Sequence, residues 1–598
     1  MVFQRDQKIS TWGKGIPGRK VRVSLAEIIA STEVGPDSTW SIKLPSLAAG
    51  GPYILQVNTT VIEDVYVGDV WLAGGQSNME WPLKSEVIGA EAEFAEGGFP
   101  AIRFFKVPNS YSAIPQKDVK GGEWKVADSV NLKEFSAVAW FFAKRNHLEK
   151  EVPVGIIESN WGGTPAEGWT DARILAEMDK SFSAEAKEIL DNQEKWEKEN
   201  ITNEMNRLLR DSLVLRPDSL TAIKVSSLDY DDAGWRSIEL PKSNPLGHIA
   251  WGRKKFDLAS IENVTLHLPN IDQMAFIYLN GKQVYYKGWG AGMPEVKISP
   301  DLLLTGKNVL TIRAINTWNN QPQIGATDEM YFLQNGKKIS LEGKWTYSNE
   351  VVEPLLPEIK WNNWRPGMMY NAMISPLTRF PIKGAIWYQG ESNAGKHAEY
   401  KELFAAMITN WRTAWGIGDF PFLFVQLANF MERQEVQPES DWAFLREAQA
   451  QTLELPATGM AVIIDLGEEA DIHPKNKKDV GERLWLQAKK VAFGEKILAS
   501  GPVFKTSSKT GEEILIGFSE VGNGLKLTAG DKVKGLIIAD AKGKFQAIEG
   551  EILGTDQLKI VLPKGFEPSE LRYAWADNPE VNLVNSIDLP AAPFRFSF

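Results

Sequence analysis

Four short blocks hold residues whose types and spacing suit chemistry. Gly74-Gly75-Gln76-Ser77-Asn78-Met79 follows the apolar run Val70-Trp71-Leu72-Ala73. A serine at a strand-to-loop junction beside glycines sits at the carboxyl edge of a parallel sheet, where open α/β folds place ligands. Glycine permits a tight turn that presents a hydroxyl and its backbone N–H to one substrate carbon. Taken alone, such a serine is more often a cap or turn residue, and no G-x-S-x-G elbow is present. Asp471-Ile472-His473-Pro474 supplies the complement, since a histidine with an acid two residues before it can act as a general base oriented by a carboxylate. Of five histidines, His473 is the best placed to serve Ser77 and His397 comes second. His147, His248 and His267 fall in or near helix or sandwich segments and read as structural.

The other two blocks are Ser159-Asn160-Trp161-Gly162-Gly163-Thr164 and Gln389-Gly390-Glu391-Ser392-Asn393. Each offers backbone N–H groups and a side-chain amide, the equipment of an oxyanion hole. Any one of them is an ordinary turn, but four at successive strand ends are hard to attribute to chance. Glu391 and Arg446 are expected to bind substrate. Arg446 stands early in a helix after the strand 422–425, and a guanidinium grips a carboxylate bidentately. The competing reading is a salt bridge from Arg446 to Glu391 or Asp441.

These blocks need a scaffold, and the hydrophobic periodicity describes one. Residues 1–67 alternate as a β-sandwich would, with Val21, Val23 and Leu25 inward. Strand–helix alternation over 68–215 predicts a parallel sheet with helices on its faces, ending in a charged helical stretch over 178–212. Residues 216–350 return to β character, with hairpin signals at Asn280-Gly281 and Asn335-Gly336. Alternation resumes over 351–498, with strands at 384–388, 422–425 and 460–464 and helices at 398–415, 441–453 and 476–492. Residues 499–598 are again β-rich. The economical reading is an α/β domain interrupted by a β-sandwich insertion and flanked by β-rich terminal domains.

Composition narrows the chemistry. Lys and Arg number 66 against 77 Asp and Glu, so the net charge of −11 argues against a nucleic-acid partner held through phosphates. No apolar run approaches the ~18 residues of a membrane span. With no cysteine, thiolate–metal sites and cysteine nucleophiles have no donors, and with only five histidines a histidine-rich metal site is not expected. No metal or organic cofactor is expected. The 22 tryptophans fit either sandwich cores or faces for stacking on sugar rings. Met1-Val2-Phe3-Gln4-Arg5 carries no signal-peptide pattern and reads as the start of a strand. The expectation is a secreted or periplasmic protein whose signal has been removed, with the cytoplasm as the alternative.

Together the blocks resemble the sialate O-acetylesterase group of the SGNH (GDSL-like) serine hydrolases. The resemblance is carried by Gly75-Gln76-Ser77-Asn78-Met79-Glu80-Trp81, Asn160-Trp161-Gly162-Gly163-Thr164, Trp387-Tyr388-Gln389-Gly390-Glu391-Ser392-Asn393, Asp471-Ile472-His473-Pro474 and the segment 366–374. It implies a flavodoxin-like sheet, Ser77 as nucleophile and His473 as general base. It also implies an oxyanion hole from the N–H groups of Ser77 and Gly163 or Gly162, with the side chain of Gln389 or Asn393. Many SGNH enzymes carry D-x-x-H, whereas here Ala470 stands three residues before His473 and Asp471 two. Asp471 is therefore the chosen triad acid, with Glu391 or a backbone carbonyl as alternatives. The segments 234–238, 250–256 and 277–282 resemble a galactose-binding-like jelly roll, as a sugar-binding module or as a spacer. The expected activity is removal of O-acetyl groups from sugars, sialic acid or plant glycans such as acetylxylan. A glycoside hydrolase using Glu391 and Asp471, or a non-catalytic sugar-binding protein, leaves the Gly-Gln-Ser-Asn block unexplained. Stripping metals with a chelator should leave esterase activity intact; loss on chelation with recovery on adding a divalent ion would overturn the serine mechanism.

Overall fold

The computed structural model describes residues 1–215, 219–241, 246–247, 249–271, 273–288, 292–317, 321–325, 329–351 and 357–598. His248 lies outside the described residues. The chain forms two compact units, Met1–Asn200 with Trp361–Phe598, and Ile201–Lys360.

The first unit is built on one long strand, Thr60–Gly75. Its first residues are exposed and its last nine are all buried. The boundary expected at 67 falls inside it, because one strand serves two environments. Its first half pairs with Gly50–Val57, beside Lys20–Leu25 and Ile28–Glu33, in the amino-terminal β region. Its second half is the centre of the main sheet. The order there is Thr458–Ala461, Phe422–Val425, Gly384–Tyr388, Thr60–Gly75, Val154–Asn160, Gly98–Lys106 and Trp124–Asp128. All these pairings are parallel except the last. The two-residue period of a strand divides its side chains between two layers. Val70 and Leu72 enter one core, and Trp71 and Ala73 the other. Strands buried on both faces read as continuous apolar runs, which is why Val70-Trp71-Leu72-Ala73 shows no alternation.

Helices Ala137–Lys150 and Lys477–Ala492 contribute to the layer that holds Trp71, and His397–Trp415 and Asp441–Gln451 to the layer that holds Val70. The third strand expected at 460–464 is shorter and earlier, Thr458–Ala461. The apolar residues Val462, Ile463 and Ile464 are buried beyond the sheet edge, so burial there does not report a strand. Residues 503–597 form a seven-stranded antiparallel sheet that ends on Phe594–Ser597.

The second unit contains a six-stranded and a four-stranded antiparallel sheet. Both Asn-Gly signals are two-residue hairpin turns, with φ of 49° and 88° at Asn280 and Gly281 and 48° and 79° at Asn335 and Gly336. Such positive values at both central positions are what type I′ turns require. The unit is longer at both ends than the 216–350 expected. Asn203, on the helix Gln193–Leu215, exchanges two hydrogen bonds with the Lys360 backbone at 2.8 and 2.7 Å, which joins the outgoing and returning chain.

One helix contact depends on a missing side chain. A Cβ on Gly481 would lie 2.7 Å from the Val138 carbonyl oxygen and 2.8 Å from Phe141 Cβ, on the facing helix Ala137–Lys150. Alanine is the better helix former by about 1 kcal/mol, but overpacking against a backbone costs about 1–3 kcal/mol. Gly481→Ala should therefore lower the Tm, as thermal unfolding would show. An unchanged or raised Tm would mean that the helices move apart freely.

Candidate active site

Three strand ends meet around Gly75, which is in register with Asn160 on one side and Tyr388 on the other. Gly75 has φ of 137°, and a Cβ there would lie 2.1 Å from the Tyr388 carbonyl oxygen. No side chain fits. The chain then leaves the sheet with the Gln76 N–H donating to that same carbonyl at 3.0 Å. Ser77 opens the one-turn helix Ser77–Glu80, with Asn78 and Met79 buried beneath it.

Ser77 Oγ lies 3.0 Å from His473 Nε2, and His473 Nδ1 lies 3.2 Å from Asp471 Oδ1. The same carboxylate oxygen accepts the His473 backbone N–H at 2.9 Å. That bond closes an Asx-type turn, the curl that lets side chains two residues apart meet. With Nδ1–H directed at the carboxylate, Nε2 is free to accept the Ser77 hydroxyl proton. The imidazole also stacks on Trp81, with centroids 4.4 Å apart. Burial, and then the nearby Lys477 ammonium, hold the His473 pKa below its usual value of 6.5, although Asp471 opposes them. His473 is thus a neutral base at neutral pH.

The remaining expected residues separate into those at this edge and those that support it. Gly163 follows Asn160 in the adjacent loop, and among the described residues neither its N–H nor that of Ser77 is bonded to protein. The Gly162 N–H is already committed to Glu80 Oε2 at 2.7 Å. Gln389 and Asn393 do not offer amides to a substrate. Gln389 donates to Thr164 O and Asn393 Oδ1 and accepts from the Tyr400 hydroxyl. Asn393 donates to Glu167 and accepts the Ala166 N–H. The two amides bind the 161–167 loop to the 389–393 loop, so they hold the loop that carries Gly163 in place. Glu391 does not face substrate either. Its Oε1 accepts from Asn78 Nδ2 at 2.6 Å and its Oε2 is buried without a partner, with burial raising its pKa.

Arg446 is the clearest correction. It is fully buried, and its guanidinium donates to the carbonyls of Leu427, Ala428, Ala576 and Asp577 at 2.7–2.9 Å. The expected ion pairs to Glu391 and Asp441 are absent among the described residues, because each of its three nitrogens donates to loop carbonyls. His397 instead lies 3.4 Å from Asp441 and stacks on Phe444. His147 lies 2.7 Å from the Val152 carbonyl and His267 stacks on Tyr331. Sequence reasoning passed over Asn78, Glu80 and Lys477. Asn78 and Glu80 follow Ser77 within the same helical turn and were findable by that proximity. Lys477 gave no local signal.

A hydroxyl, an imidazole and a carboxylate aligned at the carboxyl edge of a parallel sheet are the equipment of a serine-type ester hydrolase. Known proteins place the chain more narrowly. Residues 358–489 match the carbohydrate esterase family described as sialic acid-specific acetylesterase. The chain is 25% identical to mouse sialate O-acetylesterase over 549 residues, covering 84% of this chain and 74% of that one. The human protein of the same name is 22% identical, with 84% and 71% covered. The crystal structure of a carbohydrate acetylesterase from Xanthomonas citri superposes with a TM-score of 0.66 at 32% identity, covering 100% of this chain and 96% of that one. The chain belongs to the family of carbohydrate acetylesterases.

Arg446→Lys should reduce hydrolysis of acetylated sialic acid, acetylated neutral sugars and aryl acetates by the same factor and lower the Tm. A lysine cannot reach four carbonyls, and each buried group left unpaired costs about 1–3 kcal/mol. A loss confined to the sialic acid substrate would restore a carboxylate-reading role.

Proposed function

We propose that this protein removes O-acetyl groups from carbohydrates through an acetyl-enzyme formed on Ser77. The observation that carries the reading is the 3.0 Å contact between Ser77 Oγ and His473 Nε2, with Asp471 holding the far side of the ring. Ser77 Oγ attacks the acetyl carbonyl as His473 Nε2 takes its proton. The Ser77 and Gly163 N–H groups receive the oxyanion, a contribution typically worth about 3–4 kcal/mol per donor. Collapse breaks the bond to the sugar oxygen, which leaves with the proton from His473. Water, deprotonated by the same nitrogen, then attacks the acetyl-enzyme and releases acetate.

The same reading extends to the scaffold. With the edge pair 98–106 and 124–128 set aside, the parallel strands occur in the chain-sequence order 2-1-3-4-5, which supports a flavodoxin-like SGNH core. The two antiparallel sheets of the second unit support a jelly roll of the galactose-binding type. Acetylated sialic acid is the first candidate substrate, since the mammalian relatives carry its name. Acetylxylan and other plant glycans suit the same chemistry. A secreted or periplasmic location is proposed with it.

Ser77→Ala should abolish hydrolysis of an aryl acetate at an unchanged Tm, and His473→Ala should cost about 10²–10⁴-fold. His397→Ala should remain within a few-fold of the parent. Because His473 must be neutral to accept a proton and its pKa is held below 6.5, kcat/KM should stay level into mildly acidic pH and fall only below that. Substantial turnover by Ser77→Ala would remove Ser77 as nucleophile, whatever the pH profile.

A further inference from the structure

Behind the Ser77–His473 pair lies a buried ammonium that the mechanism above leaves unused. Lys477 is the first residue of the helix Lys477–Ala492, which begins there because the Asn476 side chain caps the Asp479 N–H. Lys477 is fully buried. A cation in that place is doubly disfavoured, by desolvation and by the positive end of the helix dipole. Its Nζ donates to Asn78 Oδ1 at 2.5 Å and lies 5.6 Å from the Trp81 ring and 5.8 Å from the Tyr388 ring.

Asn78 passes this contact on to both halves of the catalytic pair. Its Nδ2 donates to Glu391 Oε1 at 2.6 Å and to the Ile472 carbonyl at 3.1 Å. One amide therefore joins the residue after Ser77 to the residue before His473. Its orientation is not a free choice. An ammonium has donors only and an ionised carboxylate acceptors only, so Oδ1 must face Lys477 and Nδ2 must face Glu391. The flipped amide would set donors against donors and acceptors against acceptors.

We propose that Lys477 is a positioning residue for the reaction inferred above: through Asn78 it fixes the nucleophile turn against the histidine loop. The proposal rests on the assignment of Ser77 and His473. The charged and titratable groups around Lys477 are Glu391 and Tyr388 from the strand 384–388 and its loop, and Glu468, Asp471 and His473 from the loop before the helix. The carboxylates favour the ammonium, while burial brings its pKa down to about 7. His473 titrates lower, below 6.5. A charged Lys477 disfavours a second proton on His473. Removing that charge lets His473 protonate more readily, so the acid limb of activity must move to higher pH.

The test is the pH dependence of aryl acetate hydrolysis by Lys477→Met, which removes both charge and donor, and Lys477→Gln, which keeps a donor without the charge. Ser77→Ala serves as the control. Lys477→Met should lower kcat about tenfold or more with little change in KM, as expected when reacting groups lose alignment. It should also shift the acid limb of kcat/KM upward by about half a pH unit or more. Lys477→Gln should recover much of kcat while keeping the shifted limb. Acid limbs at the parental pH in both variants would overturn the proposal. So would a fall in activity that only tracks lost folded protein while the limb of the residual activity stays in place. Turnover by Ser77→Ala would instead overturn the assignment on which the proposal rests.

Discussion

The site depends on how closely two backbones approach at one point. The strand Thr60–Gly75 and the end of Gly384–Tyr388 come so near that the position of a Cβ on Gly75 lies 2.1 Å from a carbonyl oxygen. That carbonyl also accepts the Gln76 N–H and so fixes the direction in which the chain leaves the sheet. The candidate site follows from this exit. Ser77 starts its helical turn one residue later, Trp81 reaches the imidazole from the end of that turn, and Asn78 reaches the loop that carries His473. A bulkier residue at 75 would have to move the strand or the turn, and either would break the Ser77–His473 contact.

The second constraint is the need to satisfy buried polar groups. Loops at a sheet edge carry backbone carbonyls and amides that no ladder bonds, and here they are met by side chains that look functional in sequence. Arg446 takes four carbonyls, and Gln389 and Asn393 join two loops with Glu167. These are structural contributions to a catalytic geometry. A loop left with unpaired groups would be a mobile loop, and the N–H groups of Ser77 and Gly163 would not hold a fixed position.

What was legible in the sequence follows from the range of the interactions. The parallel sheet, its helices and the Asn-Gly hairpins come from periodicity and turn chemistry, which are local, and they appear where expected within a few residues. Ser77, His473 and Asp471 were readable because strand ends of one parallel sheet share an edge whatever the details of packing. Arg446 was misjudged because position in a helix does not say which way a side chain faces, and its partners Ala576 and Asp577 lie about 130 residues on. Lys477 was invisible for the same reason, since nothing near it in sequence shows that its ammonium is buried beside Asn78. The long strand crossing residue 67 was divided because its composition changes where its surroundings change, although the backbone does not.

The two carboxylates nearest the pair decide between ester and glycoside chemistry. Glycoside hydrolysis needs two carboxyl groups facing each other across a sugar, one to donate a proton and one to attack or to activate water. Asp471 directs its Oδ1 to both the ring and the backbone N–H of His473. Glu391 directs Oε1 to Asn78, and its other oxygen is buried from solvent. Each carboxylate is bonded to the residue next to, or forming part of, the Ser77–His473 pair. Asp471 is bonded to the His473 ring, and Glu391 to Asn78, the residue after Ser77. That arrangement suits acyl transfer from an O-acetylated carbohydrate to a serine.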